Sequence, residues 1–280
     1  MAKKEWFTNA HVVLCNYPPP CLRLVPVFAQ QTKNVLIDAA FESNLRTLSA
    51  FVVHPWGWPT AKYGFIKRER KRESEQGESM LKKRLRNEAA ALDYVSKHTT
   101  IAVPRLLSYG TDEEGQAYIE TELLGGALCS EVIYQCWMPE GRKHNTTTGG
   151  ECSTCQAIAT ANADRYVKEV VLPQLEGLTS RTTGLNGVVI PPPWVLEYDK
   201  RPQWVSKESA DEDYVFCHGD LVNHNILMHP QTLEVVAVID WEHAGFFPRE
   251  FQQWCCSRSE YDALFTDKDR LRRCIASIEA

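Results

Sequence analysis

From about Ser79 to Lys97, apolar residues recur at three- and four-residue steps: Met80, Leu81, Leu85, Ala89, Leu92 and Val95. Charges fill the other face, so the stretch is expected to be an amphipathic helix. Pro104 closes the following segment, because proline drives the residue before it out of helical backbone. Two strands are then expected, from Arg105 to Tyr109 and from Gln116 to Leu123, with a turn over Thr111–Gly115 between them. Upstream, Tyr63–Lys67 reads as a short strand, and His54-Pro-Trp-Gly-Trp-Pro59 as a loop. Asn34–Leu48 suggests one short helix. Beyond Gly125-Gly126 the pattern turns helical, Pro139–Cys155 reads as an exposed polar loop, and Asn162–Leu178 as a second amphipathic helix.

The last third is the most informative. Tyr214-Val-Phe-Cys217 is a short apolar strand that delivers His218-Gly-Asp220. Asn225–Met228 and Leu233–Ile239 flank a turn at His229–Thr232 and form a hairpin, with Met228 expected opposite Leu233. Folding that hairpin back sets Asp240 beside the loop from Asp220 to Asn225. Two carboxylates and an amide then converge, a donor set suited to a hard divalent cation such as Mg²⁺.

Composition narrows the picture. With 280 residues, 44% of them hydrophobic and 24% charged, the chain falls near the globular average, which excludes a disordered or fibrous protein. The net charge of −5 does not suit a dedicated nucleic-acid binder, whose affinity rests on neutralising phosphates. In the charged run from Lys67 to Glu78 glutamates interleave with the basic residues, so its field is weak and a solvated insertion is expected. No apolar run is long enough for a bilayer span or a signal sequence, and the ten cysteines are expected to be reduced thiols. The expectation is a cytoplasmic protein that engages neither membrane nor nucleic acid. Cys152-Ser-Thr-Cys155 has metal-ligand spacing, but no second such pair or neighbouring histidine pair accompanies it in the sequence.

His218-Gly-Asp-Leu-Val-Asn-His-Asn225, followed by Ile239-Asp-Trp-Glu242, resembles the catalytic core of the aminoglycoside phosphotransferase family, the kinase-like small-molecule phosphotransferases. A lone His-Gly-Asp would be an ordinary turn; the asparagine, the hairpin and the second motif together carry the likeness. Gly184-Leu-Asn-Gly, Pro191-Pro-Pro-Trp194 and the run from Asp240 to Pro248 look like segments of fungal members, and the likeness covers roughly residues 80–255. The resemblance implies an α+β, two-lobed protein-kinase-like fold with a small sheet-containing N-lobe and a mainly helical C-lobe. It further implies that Asp220 is catalytic, orienting or accepting the proton of an acceptor hydroxyl. Asn225 and Asp240 would bind Mg²⁺, and His218 would brace the loop. His224, inside that loop, could touch substrate, though exposure to solvent is the expectation.

For the nucleotide the resemblance implies a lysine on the phosphates, best matched by Lys67, and a helix glutamate to hold it, best matched by Glu88. Glu122 and Leu123, between strand and Gly125, resemble the hinge whose backbone binds adenine. The implied division is a poorly assigned segment over residues 1–55, a nucleotide-binding N-lobe over 56–124 and a C-lobe with the catalytic and metal-binding loop over 125–280. The implied function is Mg²⁺-dependent transfer of the ATP γ-phosphoryl group to a hydroxyl of a small molecule. Two departures motivate an alternative, a catalytically weak or inactive binding or regulatory module. No glycine-rich loop precedes Lys67, and only 40 residues follow Asp240, which also argues against a protein as phosphoryl acceptor.

Overall fold

A computed structural model describes residues 36–39, 48–53, 63–68, 80–144, 150–201, 203–211 and 213–279. Its fold is α+β. The first body is an antiparallel five-stranded sheet in the order β1-β2-β3-β5-β4, formed by β1 (Leu36–Ala39), β2 (Leu48–Val53), β3 (Tyr63–Arg68), β4 (Leu106–Thr111) and β5 (Ala117–Glu122). In β5 the residues alternate, with Ala117, Ile119 and Thr121 buried and their neighbours half-buried, as a strand covered on one face requires. A helix over Asn34–Leu48 is not what forms. Leu36-Ile-Asp-Ala39 pairs with Ser49–Val52 as a strand, its ladder bonds to β2 overriding a weak local preference. The loop expected at residues 54–59 and most of the charged run after Lys67 lie outside the described residues.

Helix α1 (Met80–His98) crosses this sheet and buries Leu85, Ala89, Leu92 and Val95, four residues of the expected stripe, together with Asn87 and Glu88. Lys67 on β3 stands directly opposite Ile119 on β5, and opposed residues of an antiparallel pair share a face. That face is the one α1 covers, so the lysine is aimed at the helix.

After Gly126 the chain forms a short strand, β6 (Ala127–Leu128), and a 3₁₀ turn (Cys129–Tyr134) where a helix was expected. Gly126 leaves no room for a side chain there, since a Cβ would lie 2.7 Å from the Met228 carbonyl oxygen. Helix α2 (Ser153–Tyr166) starts nine residues before the expected Asn162 and runs on through a π-helical turn (Val167–Val171) into α3 (Leu172–Glu176). Its buried stripe is Cys155, Ala159, Ala163, Val167, Val171 and Leu175, four residues apart, and begins with small side chains among polar ones. Part of the expected exposed loop is therefore helix, with Cys152 and Cys155 buried.

The remaining elements surround the two motifs of the last third. They are β7 (Thr179–Ser180), α4 (Pro193–Tyr198), β8 (Tyr214–Cys217), β9 (Leu221–Val222), β10 (Ile226–Met228), β11 (Val235–Val238), β12 (Gly245–Phe247), β13 (Trp254–Cys255), α5 (Arg258–Thr266) and α6 (Lys268–Ile278). β8 lies between β7 and β12, and β10 lies between β6 and β11. One apolar core joins α1 and β5 to α2, β10 and Trp241; a second packs α4, α5 and α6 around Phe247 and Phe251. Among the described residues no helix is long and apolar enough to cross a membrane.

Candidate active site

Strand β8 is buried at all four positions, which anchors the loop that follows it. Gly219 turns that loop with φ +84°, and a Cβ there would meet the His243 carbonyl oxygen at 2.3 Å. Only glycine fits both demands. His218 is fully buried; its Nε2–H donates to the Ile239 carbonyl at 3.0 Å, and its Nδ1 accepts from the Asp220 N–H at 3.2 Å. Burial pushes this imidazole down to about 4, so it is neutral, and its ring packs on Trp241 at 4.4 Å. It is a brace between the two motifs.

Asn225 donates its amide N–H₂ to the Asp220 carbonyl at 2.8 Å and to Asp220 Oδ2 at 3.2 Å. With the nitrogen so engaged, the amide oxygen is the atom that Asn225 would offer a cation. Asp220 Oδ1 is buried and has no hydrogen-bond partner among the described residues. Burial, reinforced by the charge of Asp240, pushes the Asp220 carboxyl up to about 7. Tyr261 on α5 borders this carboxylate and is held protonated by burial and by the Asp220 charge. His224 packs edge-on against Tyr261 at 5.6 Å and is half-buried, contrary to the exposure expected of it.

The hairpin forms, with Ile226 opposite Val238, but Met228 faces Val235 and not Leu233. A bulge after Leu227 shifts the register, and Leu233 sits in the turn at φ +57° with its side chain buried. The turn is therefore longer than expected, closed by Leu233 N–H to His229 O at 2.9 Å and His229 N–H to Glu234 O at 2.8 Å. Beyond β11 the Ile239 N–H donates to the Asn225 carbonyl at 3.0 Å, tying the second motif to the first. Asp240 follows with φ +66° and ψ +56°, a left-handed conformation that a non-glycine residue adopts at a cost.

Lys67 and Glu88 meet this loop. The Lys67 ammonium donates to both Glu88 oxygens, at 3.0 and 3.1 Å, and to Asp240 Oδ1 at 2.5 Å. Burial alone would push Lys67 down, but Asp240, Glu88 and Glu242 together outweigh it and hold the ammonium well above its ordinary range. Burial likewise acts to raise Asp240, and Lys67 overcomes it, leaving that carboxyl below the usual range. Oxygens of Glu88, Asp240 and Glu242 all lie within 4.8 Å of one another.

Sequence reasoning missed part of this assembly. Arg84, one turn before Glu88, contacts both Glu242 Oε1 and His243 Nε2, the latter at 2.8 Å. His243 Nδ1–H donates to the Pro191 carbonyl at 2.7 Å, and burial pushes this ring down to about 3. Asn87 donates to the backbone carbonyls of Glu242 and Ala244, at 3.0 and 2.8 Å. Arg84, Asn87 and Glu88 are spaced i, i+3, i+4 on one helix face. A polar pair set into the apolar stripe of α1 was the available signal. Glu122, the hinge candidate, donates its N–H to the Arg105 carbonyl at 2.9 Å, and its Oε1 accepts from the Arg105 N–H at 2.9 Å. Leu123 follows at the end of β5.

A five-stranded sheet, its lysine clamped to a helix glutamate, thus faces the buried His218-Gly-Asp220 loop and a second aspartate, Asp240. Residues 185–277 match the family model of the phosphotransferase enzyme family (APH). It is 28% identical over 165 residues to the aminoglycoside 3'-phosphotransferase of Streptomyces ribosidificus, covering 56% of this chain and 58% of that one. With the aminoglycoside 3'-phosphotransferase of Streptomyces fradiae it shares 28% identity over 176 residues, 59% of this chain and 60% of the relative. The chain thus spans less than two thirds of the length of either curated relative, and both are bacterial. A crystal structure of a Ralstonia eutropha JMP134 protein assigned to the aminoglycoside phosphotransferases is 15% identical, with 89% of this chain and 75% of that one covered at a TM-score of 0.44.

Proposed function

We propose that this chain transfers the γ-phosphoryl group of ATP to a hydroxyl of a small molecule, with Mg²⁺ as the metal. The observation that carries the reading is the chain of contacts Glu88–Lys67–Asp240 at the end of the hairpin that also holds Asn225 against Asp220. Phosphoryl transfer asks a protein chiefly for positioning and charge neutralisation, and these residues supply both. The donors are of the type a hard cation takes: Asp240 and Glu242 carboxylate oxygens lie within 4.8 Å of each other, and the buried Asp220 Oδ1 and Glu242 Oε2 have no partner among the described residues. Bound Mg²⁺ supplies neutralisation of the phosphate charge. Asn225 and Asp240 would hold it.

Lys67 is the cation for the nucleotide phosphates, and Glu88 keeps its side chain extended across the sheet toward them. Asp220 orients the acceptor hydroxyl and takes its proton. A carboxyl raised to about 7 is a stronger base than an ordinary aspartate and is still half ionised near neutral pH. The backbone of Glu122 and Leu123 would border adenine. Residues 56–124 would form the nucleotide-binding lobe and residues 125–280 the catalytic lobe, with 1–55 unassigned. The two curated relatives are aminoglycoside phosphotransferases by name, and a net charge of −5 suits a polycationic acceptor of that kind. A cytoplasmic setting fits the free thiols among the described residues, and the net negative charge does not suit a nucleic-acid partner.

A thermal-shift titration with ATP, with and without Mg²⁺, tests the site without knowing the acceptor. The expected result is a Mg²⁺-dependent rise in Tm that disappears in Asp240→Ala. An unchanged Tm at millimolar nucleotide would overturn the proposal.

A further inference from the structure

A second cluster of ligating side chains lies in a different part of the molecule, where the proposed phosphoryl transfer has no use for it. The sequence shows Cys152-Ser-Thr-Cys155 alone; the fold adds Cys136 and His144 to it. Sulfur atoms of the three cysteines and one imidazole nitrogen all lie within 4.8 Å of one another. Cys136 Sγ is 3.9 Å from Cys155 Sγ, and His144 Nδ1 is 3.4 Å from Cys155 Sγ and 3.7 Å from Cys152 Sγ. We propose that Cys136, His144, Cys152 and Cys155 form a structural zinc site.

The distances agree with tetrahedral geometry. With Zn–S of about 2.3 Å and Zn–N of about 2.05 Å, the edges of the tetrahedron are about 3.8 Å between sulfurs and about 3.5 Å between sulfur and nitrogen. The atoms therefore already stand near the separations that one ion would impose. A disulfide needs about 2.05 Å, and all three cysteines are free. Three thiolates with one imidazole form a soft set that selects zinc over Mg²⁺, whereas the oxygens of Glu88, Asp240 and Glu242 do the reverse.

The surrounding backbone favours sulfur in its charged form. The His144 N–H donates to Cys136 Sγ at 3.2 Å, and the Cys155 N–H donates to Cys152 Sγ at 3.5 Å. Cys152 caps the N-terminus of α2 and Cys155 lies in its first turn, where the helix dipole favours negative charge. Such N–H···S bonds are the outer-shell support that a thiolate site needs. Cys152 and Cys155 are buried and His144 is exposed, so the imidazole side is the route by which a metal would enter.

All four positions of a tetrahedron come from protein, with none left for water or substrate, which marks the site as structural. It would tie Cys136 and His144, which follow the 3₁₀ turn at Cys129–Tyr134, to the start of α2. The Cys152 N–H to Ile133 O bond at 2.7 Å and the Trp137 Nε1–H to Val132 O bond at 2.9 Å already draw these parts together. The same turn follows β6, which pairs with the catalytic hairpin strand β10, so the metal would stiffen the floor beneath the candidate active site.

The test uses the full chain, purified under reducing conditions, with zinc measured by mass spectrometry and Co²⁺ substituted for it. The expected result is about one zinc per chain, thiolate-to-cobalt charge-transfer bands with a tetrahedral d–d spectrum, and loss of both in Cys155→Ser and His144→Ala. Alkylation mapping of the parent chain should find Cys136, Cys152 and Cys155 protected until a chelator is added, which decides the matter even where a variant fails to fold. A reduced chain that retains no zinc and gives no cobalt–thiolate bands overturns the site. So does a Cys152–Cys155 disulfide in its place, or zinc that survives both substitutions.

Discussion

The two clusters of ligating groups differ in how they are assembled, and the difference explains which of them a sequence displays. Apart from Glu88, the carboxylate cluster is built on two short segments, His218 to Asn225 and Asp240 to Ala244, each preceded by a four-residue strand and followed by a three-residue one. Backbone bonds do much of the positioning there, as with Ile239 N–H to Asn225 O. The sulfur cluster draws its members from positions 136, 144, 152 and 155, and its order rests on a helix N-terminus and the turn before it. The first needs its sequence spacing; the second needs only the fold.

The sharpest way to separate them is to remove one carboxylate. Asp220→Ala is expected to lower phosphoryl transfer by about 10²–10⁴-fold, the usual worth of a positioned base, while nucleotide binding and the metal content of the sulfur cluster stay unchanged. Steady-state kinetics with a panel of hydroxyl acceptors, beside metal analysis, reads both. Equal turnover in the variant would remove Asp220 from the chemistry. Next in size is Gly219→Ala, which forces a Cβ to within 2.3 Å of the His243 carbonyl at a positive φ. It should cost about 2–4 kcal/mol in chemical denaturation. A neutral effect would mean that the loop is not held against His243 as tightly as its geometry indicates.

A pH experiment comes third. His243 is buried neutral, with its folded value near 3 against an ordinary 6.5. Below pH 6.5 the unfolded chain therefore binds a proton that the folded chain refuses, so stability falls as pH drops from 6.5 toward 3. His218, at about 4, adds to the same slope. His243→Gln should flatten the fall in Tm across that window; an unchanged slope would assign the acid sensitivity to other groups. The smallest effect belongs to the surface pair Lys97–Asp93, both partners more than half exposed. Lys97→Ala should change stability by about 0.5 kcal/mol or less, and a larger change in thermal unfolding would show that α1 has unseen tertiary work at its end.

Much of the fold could be read directly because its elements announce themselves locally. α1 carries a clean apolar period, and the strands at Ala117–Glu122 and Tyr214–Cys217 are bounded by turn residues or lead straight into a glycine loop. The misreadings have a common cause in tertiary pairing. Leu36–Ala39 is a strand because β2 offers it partners. The start of α2 is hidden because alanines and cysteines form its buried stripe amid serine, threonine and glutamine. The hairpin register slipped because Leu233 spends its side chain in the core from within the turn. At the site, Asp220, Asn225 and Asp240 could be named from their motifs and Lys67 and Glu88 from the family resemblance; Lys67 meets Glu88 and Asp240, and Asn225 meets Asp220. Arg84, Asn87 and His243 could not, because their partners are 52 to 159 residues distant, and two of the acceptors are backbone carbonyls of the 240–244 loop.

Asp240 combines two demands that rarely meet. Its backbone is left-handed, a conformation that glycine enters freely and asparagine or aspartate tolerates, and its side chain must answer the Lys67 ammonium with a negative charge. Aspartate alone satisfies both. Replacement by glycine would relax the backbone but take from the buried Lys67 ammonium its nearest carboxylate, so at this position the ease of the main chain and the pairing of a charge pull against each other. An acid kept here is kept for its charge, in spite of its backbone.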